Sequence, residues 1–188
     1  MKKLLFFLLA GTLMFMSCKN DDDNDGRVEL RYDDPNETAP PLPAGTFDAG
    51  VRFPRNIVNN YIGQNLTEVD FYIQQRPTDC VVLVYGEGTA ESPGSLLYSK
   101  NVSSEVSANS WNLHTLDTPI ALQDEDIWIV VRLIHNANTS SIGCDNGPAT
   151  TNGDWMLGEN ENEWRTYRSL TNGQVSVNWN IRGYLTPQ

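Results

Sequence analysis

Hydrophobic residues alternate with polar ones over much of this chain, and this period of two restricts the fold more than any other feature. The main apolar segments are Thr67–Gln75, Cys80–Tyr85, Ile127–Ile134 and Val177–Leu185. In the first of them, Val69, Phe71 and Ile73 share one face of an extended chain, as a half-buried strand requires. Cys80–Tyr85 is instead a continuous apolar run, which is typical of a strand buried on both faces. The chain is therefore predicted to consist mainly of strands.

Shorter strands are predicted between and around these segments: Gly45–Phe53, Leu96–Val102, Trp111–Leu116, Pro119–Leu122, Asp154–Leu157 and Glu163–Tyr167. Turn signals such as Asn172-Gly173 separate the strands, and only Arg55–Ile62 has a helical pattern. Because strands and helices do not alternate, we do not expect a parallel α/β sheet. The sequence predicts an all-β fold, an antiparallel two-sheet β-sandwich that is jelly-roll-like.

The chain opens with the features of a secretory signal. A short cationic start, Met1-Lys2-Lys3, precedes the apolar run Leu4–Met16. This run is shorter than the about 20 residues that a helix needs to span a bilayer. We therefore expect residues 1–17 to be a cleaved signal, which would leave Cys18 at the new N-terminus.

The residues around Cys18 resemble known export signals. Phe15-Met16-Ser17-Cys18 is similar to a bacterial lipobox, with larger residues than usual at its first two positions. This resemblance implies fatty acylation of Cys18 and a lipid anchor in the outer membrane. The acidic run Lys19–Asp25 resembles the signal of Bacteroidetes lipoproteins displayed on the cell surface, which implies that the anchor faces the exterior. The alternatives are an ordinary cleavage with a free Cys18 thiol and, for the acidic run, a solvated tether on a periplasmic protein.

Composition separates a tether from a domain. Residues 18–43 lack hydrophobic periodicity and are rich in acids, Asn and Pro, so they bury too little apolar surface to offset the entropy of ordering. They are predicted to be a disordered tether, followed by one domain at residues 44–188. The whole chain has 24 acidic and 13 basic residues and no basic stripe. Nucleic acid is therefore not an expected partner.

Cys80 and Cys144 remain when Cys18 is assigned to the lipid. In an oxidising compartment they are candidates for a disulfide, which would stabilise the fold by roughly 4 kcal/mol in the chain-entropy model. The alternative is that Cys80, at the start of an apolar strand, is a small buried hydrophobic residue.

The order of several motifs resembles the β-sandwich modules of Bacteroidetes surface and secreted proteins, including modules attached to peptidases and adhesins. The motifs are Arg52-Phe53-Pro54, Tyr61-Ile62-Gly63, Leu66–Ile73, Pro93–Ser99, Asp126–Ile129 and Asn178–Arg182. They cover nearly the whole domain and are mostly structural. The resemblance implies a binding or adhesion module and carries over no catalytic residue.

The residues offer little evidence for an enzyme or a cofactor. The two histidines, His114 and His135, belong to no recognisable nucleophile or metal motif. The alternating acids Glu159–Glu163 would suit glycoside hydrolysis only if two of them faced one bond. We therefore predict no catalytic activity and no cofactor. Structural calcium is left open, and its candidate ligands are Asp124, Asp126 and Asp145.

The tryptophans suggest a ligand. Trp179 lies on an apolar strand face and is expected in the core, whereas Trp155 and Trp164 flank a loop where nothing demands burial. An exposed indole can stack on a sugar ring while polar side chains bond its hydroxyl groups. The predicted polar rim comprises Asn152, Asp154, Arg165 and Arg168. We expect a non-catalytic surface module that binds glycan. The alternatives are an assembly subunit that pairs with another surface protein, with an apolar patch around Trp128, and two tryptophans that merely cap the sandwich.

Overall fold

The computed structural model describes residues 27–188. The predicted signal peptide, Cys18 and the acidic run lie outside the described residues. The described chain contains ten strands, two short α-helices and one 3₁₀ turn. These are β1 Val28–Leu30, β2 Gly45–Phe53, α1 Arg55–Val58, the 3₁₀ turn Asn59–Tyr61, β3 Gln64–Ile73, β4 Asp79–Gly86, β5 Leu96–Asn101, β6 Ser110–Ala121, β7 Ile127–His135, β8 Trp155–Gly158, β9 Arg165–Thr166, α2 Tyr167–Leu170 and β10 Ile181–Pro187.

The strands form two antiparallel sheets. The order in the four-stranded sheet is β1-β10-β3-β6, and the order in the six-stranded sheet is β5-β4-β7-β2-β8-β9. Without β8 and β9, this is the strand order of a jelly roll, in which the first strand lies beside the last and the second beside the seventh. The predicted all-β sandwich is confirmed. β8 and β9 extend the six-stranded sheet beyond β2, at the edge opposite β5.

The two sheets bury the faces that the period of two predicts. Val69, Phe71 and Ile73 of β3 have at most 1% of their surface exposed. Ile127 and Ile129 of β7 are buried to the same extent in the same hydrophobic cluster. The core therefore lies between the sheets, and the alternate residues of each strand form the two outer faces of the sandwich.

Two predicted strands, Trp111–Leu116 and Pro119–Leu122, are continuous as β6. The ladder between β3 and β6 shifts register between Leu66 and Glu68, which accommodates the extra residues of β6 as an irregularity. β6 is an edge strand, and a proline such as Pro119 is tolerated at an edge or a bulge because its missing N–H breaks no interior ladder.

The tether predicted for residues 18–43 is wrong from residue 27 onward. β1 pairs with β10, and Leu30 and Leu42 are 3% and 4% exposed within the hydrophobic core. The ring of Tyr32 stacks on Phe53 at a centroid distance of 5.0 Å. Residues 27–43 therefore form a strap that is part of the domain. The sequence did not indicate this because the apolar residues of the strap are widely spaced among acids and prolines.

None of the described helices is long and apolar enough to cross a membrane.

The candidate disulfide between Cys80 and Cys144 is not formed. Both cysteines are free, and each has at most 1% of its surface exposed in the core. Burial raises the pKa of each thiol to about 12. Both side chains pack as small hydrophobic residues, which is the alternative that the sequence suggested for Cys80.

Candidate functional site

The outer face of the six-stranded sheet carries a cluster of three tryptophans. Trp128 on β7 alternates with Ile127 and Ile129, so its indole points away from the core. The ring centroids of Trp155 and Trp164 lie 5.3 and 5.6 Å from that of Trp128. Trp155 belongs to β8, and Trp164 immediately precedes β9. The strand pair added to the jelly roll therefore supplies two of the three rings.

The three rings differ in exposure. Trp128 is fully buried and Trp155 is 8% exposed, whereas Trp164 is only partly buried. Trp128 and Trp155 belong to a buried cluster with Leu83, and Trp164 packs against this cluster. The predicted pair is thus brought together through Trp128, and Trp164 is the member of the cluster that remains accessible to a ligand.

Gly50 of β2 provides the seat for Trp164. A Cβ atom at this residue would lie 3.2 Å from Cζ3 of Trp164 and 3.0 Å from Cγ2 of Val130. Gly50 pairs with Trp155 on one side and with Val130 on the other, so it marks a gap in an otherwise bulky row of side chains. The indole of Trp164 occupies this gap and is held on the sheet by packing.

Trp164 lines a cavity of about 280 Å³ between the β4–β5 and β8–β9 loops. The other side chains around the cavity carry hydroxyl, amide or carboxylate groups; they belong to Thr89, Glu91, Ser92, Asn162 and Glu163. These residues are exposed. The cavity therefore combines one aromatic surface with several hydrogen-bonding groups, and such polar groups are the ones that fix the orientation of a ligand.

Two further cavities adjoin the first along the β8–β9 loop. One, of about 280 Å³, shares Asn162 and Glu163 with it and adds Glu161 and Arg165. The other, of about 300 Å³, shares Glu161 and reaches the outer face of β2 and β7. There Arg132 donates two hydrogen bonds to the Asp48 carboxylate, at 2.7 and 2.8 Å. We call the three cavities together the Trp164 groove.

Three of the predicted rim residues serve the protein itself. Asn152 is 8% exposed, and its side-chain oxygen accepts a hydrogen bond of 3.1 Å from Arg52. Asp154 is fully buried, accepts a 3.0 Å hydrogen bond from the backbone of Arg168 and lies 3.4 Å from its guanidinium. Burial raises the pKa of the Asp154 carboxyl, and the bond from Arg168 opposes the rise. The Arg168 guanidinium also donates to backbone carbonyls of residues 149–150. Of the predicted rim, only Arg165 is exposed and lines the groove.

The sequence did not indicate Thr89, Glu91 and Ser92 as site residues. They lie in the β4–β5 loop, whose clear signals are the turns Gly86-Glu87-Gly88 and Ser92-Pro93-Gly94. Their contribution depends on the long-range pairing that places β4 and β8 in one sheet. Asn162 and Glu163 lie next to Trp164 in the chain, so a search of the residues flanking that tryptophan would have found them.

The two histidines lie away from the groove. His114 is 8% exposed and its Nε2 is 2.8 Å from the hydroxyl of Tyr98. His135 is 3% exposed and its Nε2 is 2.6 Å from Oγ of Ser141. Burial lowers the pKa of both imidazoles. Each histidine is thus fixed by a hydroxyl group inside the sandwich.

The calcium ligands suggested by the sequence do not converge. Each is held by donors of the protein: Asp124 by Arg55, Asp126 by Arg52 and Asp145 by Asn178. The hydrogen bond from Arg55 lowers the pKa of the Asp124 carboxyl. Residues 27–188 contain no group of three or more His, Cys, Asp or Glu side chains that could hold a metal ion. The structure therefore does not bring these three aspartates together as one calcium site.

The remaining tryptophans are engaged elsewhere. Trp179 is fully buried, as predicted, and its indole N–H donates to the carbonyl oxygen of Trp155 at 2.9 Å. Trp111 lies on the outer face of the four-stranded sheet, where the guanidinium of Arg182 is 4.1 Å from its ring centroid. An arginine thus lies over the ring of Trp111, which also lines a separate cavity of about 230 Å³ away from the Trp164 groove.

No protein-family model and no curated protein matches this chain. Its fold is similar to two solved structures of a clostridial protein. The first is the cysteine protease Cwp84 after propeptide cleavage, with a TM-score of 0.61 and 12% identity over 88% of this chain and 41% of that one. The second contains the cysteine protease and lectin-like domains of Cwp84, a surface layer associated protein of Clostridium difficile. Its TM-score is 0.50 and its identity 13%, over 77% of this chain and 33% of that one. The chain therefore spans less than half the length of either structure, and the similarity establishes the fold alone.

Proposed function

We propose that this protein is a non-catalytic, lipid-anchored binding module at the cell surface that recognises glycan through the Trp164 groove. The anchor would be Cys18 in the outer membrane, with the domain facing the exterior. Support for this location comes from the lipobox-like residues and the acidic run. The similar structures are consistent with it, since one of them is described as surface layer associated and contains a lectin-like domain.

The observation that carries the proposal is the partly exposed indole of Trp164 in a cavity with polar walls. A sugar ring has apolar C–H faces and a hydroxyl rim, so it fits an aromatic surface surrounded by hydrogen-bonding groups. Ser92 and Thr89 offer hydroxyl groups, and Asn162 offers both a donor and an acceptor. Because Trp164 is packed on Gly50 and Trp128, little side-chain entropy would be lost on stacking.

The test is binding of the soluble domain, residues 27–188, to a glycan array and to polysaccharide gels. Trp164→Ala is expected to weaken binding at least about tenfold, because it removes the stacking surface. Trp111→Ala is the matched control, since Trp111 is a partly buried tryptophan on the opposite sheet. It should leave glycan binding unchanged.

Trp164→Ala also uncovers Trp128, so two further variants are needed that leave the three-tryptophan cluster intact. Ser92→Ala and Asn162→Ala alter exposed side chains of the cavity only. They are expected to weaken binding severalfold with an unchanged melting temperature. Binding that tolerates both these changes and the loss of Trp164 would exclude this face as the site.

A second candidate function is assembly with another surface protein. The patch expected around Trp128 is not exposed, because Trp128 is fully buried. Large exposed apolar side chains occur instead at Leu96 and Leu97, which are 54% and 44% exposed on the edge strand β5. Edge strands with such residues are prone to pair with other chains. Cross-linking in cells should then recover one dominant partner, and Leu96→Glu should abolish the adduct.

A further inference from the structure

The Trp164 groove has a one-sided charge. Apart from Asp48, which is paired with Arg132, four carboxylates line it, those of Glu91, Glu159, Glu161 and Glu163. None of the four forms a salt bridge within the described residues 27–188. Glu161 accepts one backbone hydrogen bond, from Gly158 at 3.2 Å.

The basic residues of the groove do not balance these acids. Arg132 is held by a bidentate bond to Asp48, so that pair contributes no net charge. Arg165 is the remaining guanidinium along the three cavities. A ligand in the groove would therefore approach several uncompensated negative charges and a single positive one.

The groove is also longer than one sugar residue requires. Each cavity is about 280–300 Å³, at the lower end of the range of about 300–1,000 Å³ for small-molecule sites. The cavities adjoin because they share Asn162, Glu163 and Glu161. A chain-like ligand could contact all three at once.

We propose that the groove selects an extended glycan that carries no acidic groups, either uncharged or bearing amines, and that its carboxylates exclude anionic glycans. This inference rests on the proposed function of the same site. Carboxylates accept hydrogen bonds from sugar hydroxyl groups and attract ammonium groups, but they repel a uronate or sulfate. The groove is solvent-exposed, so each charge contributes modestly and the selection arises from several charges together.

The experiment compares three soluble oligomers of equal length by titration with residues 27–188. They are an N-acetylglucosamine hexamer, which is neutral, a glucosamine hexamer, which is cationic, and a galacturonate hexamer, which is anionic. We expect the neutral and cationic oligomers to bind at least about tenfold more tightly than the anionic one at low ionic strength. Raising the salt to about 0.5 M should narrow the gap between cationic and anionic oligomers, because it screens exposed charges.

A charge-matched pair of variants separates the groove from the net charge of the protein. Glu91→Gln with Glu163→Gln keeps one hydrogen-bonding oxygen on each side chain, replaces the other by an NH2 group and removes two charges from the Trp164 cavity. Glu37→Gln with Glu105→Gln removes two charges from exposed sites outside the groove. The first pair should strengthen binding of the galacturonate hexamer about fivefold relative to any change in binding of the neutral hexamer. The second pair should not change the binding of either hexamer.

The outcomes distinguish the two proposals. A galacturonate hexamer that binds as tightly as the neutral one, or the same response to both pairs of variants, overturns the charge selection. Glycan binding that still depends on Trp164 would in that case leave the proposed function standing. Failure of all three oligomers and of the glycan array overturns both.

Discussion

Gly183 of β10 faces Ile129 of β7 at a point where the two sheets come very close. A Cβ atom at residue 183 would lie 2.6 Å from Cδ1 of Ile129 and 2.8 Å from Cδ1 of Leu66. Both distances are below van der Waals contact. Glycine is therefore required here by the packing of the sandwich, since only a residue without a side chain lets Ile129 and Leu66 fill this part of the core.

Gly183→Ala is expected to lower the free energy of unfolding by about 1–3 kcal/mol, because the added methyl group overpacks the core. Ile129→Val removes the clashing Cδ1 and alone should cost about 0.5–1.5 kcal/mol. In the double variant the two effects should compensate in part, which chemical denaturation can measure. Strictly additive losses would show that the methyl group is accommodated elsewhere.

The alternation of apolar residues was sufficient to predict the central strands. β2 has the predicted bounds, Gly45–Phe53, and β7 extends the predicted strand by one residue. The predicted strand Val177–Leu185 begins only at Ile181. In its first half the backbone N–H groups of Trp179 and Asn180 donate to loop carbonyls rather than to a neighbouring strand. Local periodicity reports which side chains are buried, but it cannot report where the backbone hydrogen bonds go.

The site could be predicted only in part, for a related reason. Trp164 stands out in the sequence, and so does the loop before it. Asp154 and Arg168 are equally close to the tryptophans, yet they bond the protein itself and not a ligand. Glu91 is distant in the chain and reaches the cavity through the pairing of the sheet. Proximity in sequence does not separate polar residues that satisfy a buried loop from those that face solvent.

Larger side chains at residue 50 test whether packing on Gly50 positions the indole of Trp164. Gly50→Ala places a methyl group 3.2 Å from the indole, and Gly50→Val adds further bulk. Trp164 belongs to a loop and can shift, so the expected loss of stability is small, about 1 kcal/mol. Glycan binding should be tightest in the wild type, weaker in Gly50→Ala and weakest in Gly50→Val, because the larger side chains displace the indole. Tight binding by the valine variant would mean that the seat does not position the ring.

Asp70 should make stability depend on pH. Burial raises the pKa of its carboxyl to about 6, and Arg182, its partner in the ladder, opposes the rise. The folded protein therefore binds this proton more tightly than the unfolded chain. The resulting stabilisation is complete below about pH 4 and is lost as the pH rises through about 6.

Asp70→Asn removes this titration and should raise the melting temperature at pH 7.5 but not at pH 4. We expect a gain of about 1 kcal/mol at the higher pH, since Asp70 is only partly buried and solvent screens its charge. Thermal unfolding of variant and wild type between pH 4 and pH 7.5 measures the difference in stability between them. The other titrating groups are the same in both proteins, so their contributions cancel. An equal shift at both pH values would assign the effect to hydrogen bonding instead.

The two buried thiols give a chemical test of the fold. Because burial raises the pKa of Cys80 and Cys144 to about 12, almost no thiolate is present at pH 8. Iodoacetamide should leave both unmodified in the folded domain and alkylate both after unfolding without reductant. Mass spectrometry would detect the two additions. A mass lower by two hydrogens, with no alkylation after unfolding, would reveal a disulfide.

The strap of residues 27–43 is predicted to be necessary for folding. A chain that begins at residue 44, the boundary expected from composition, loses the buried side chains of Leu30 and Leu42. Their burial alone corresponds to about 3–6 kcal/mol. It also loses Asp33, whose carboxylate is buried and accepts a 2.9 Å hydrogen bond from Arg182. Removal leaves that guanidinium with fewer partners in a largely buried setting.

The two truncated chains, beginning at residues 27 and 44, should therefore differ strongly in circular dichroism and thermal melting. We expect the longer chain to melt cooperatively and the shorter one to be unfolded or to melt many degrees lower, since the expected loss is comparable to the whole stability of a typical domain. Asp33→Asn in the longer chain keeps the strap but removes its charge, and should cost less than the truncation. A shorter chain that melts like the longer one would return residues 27–43 to the role of a tether.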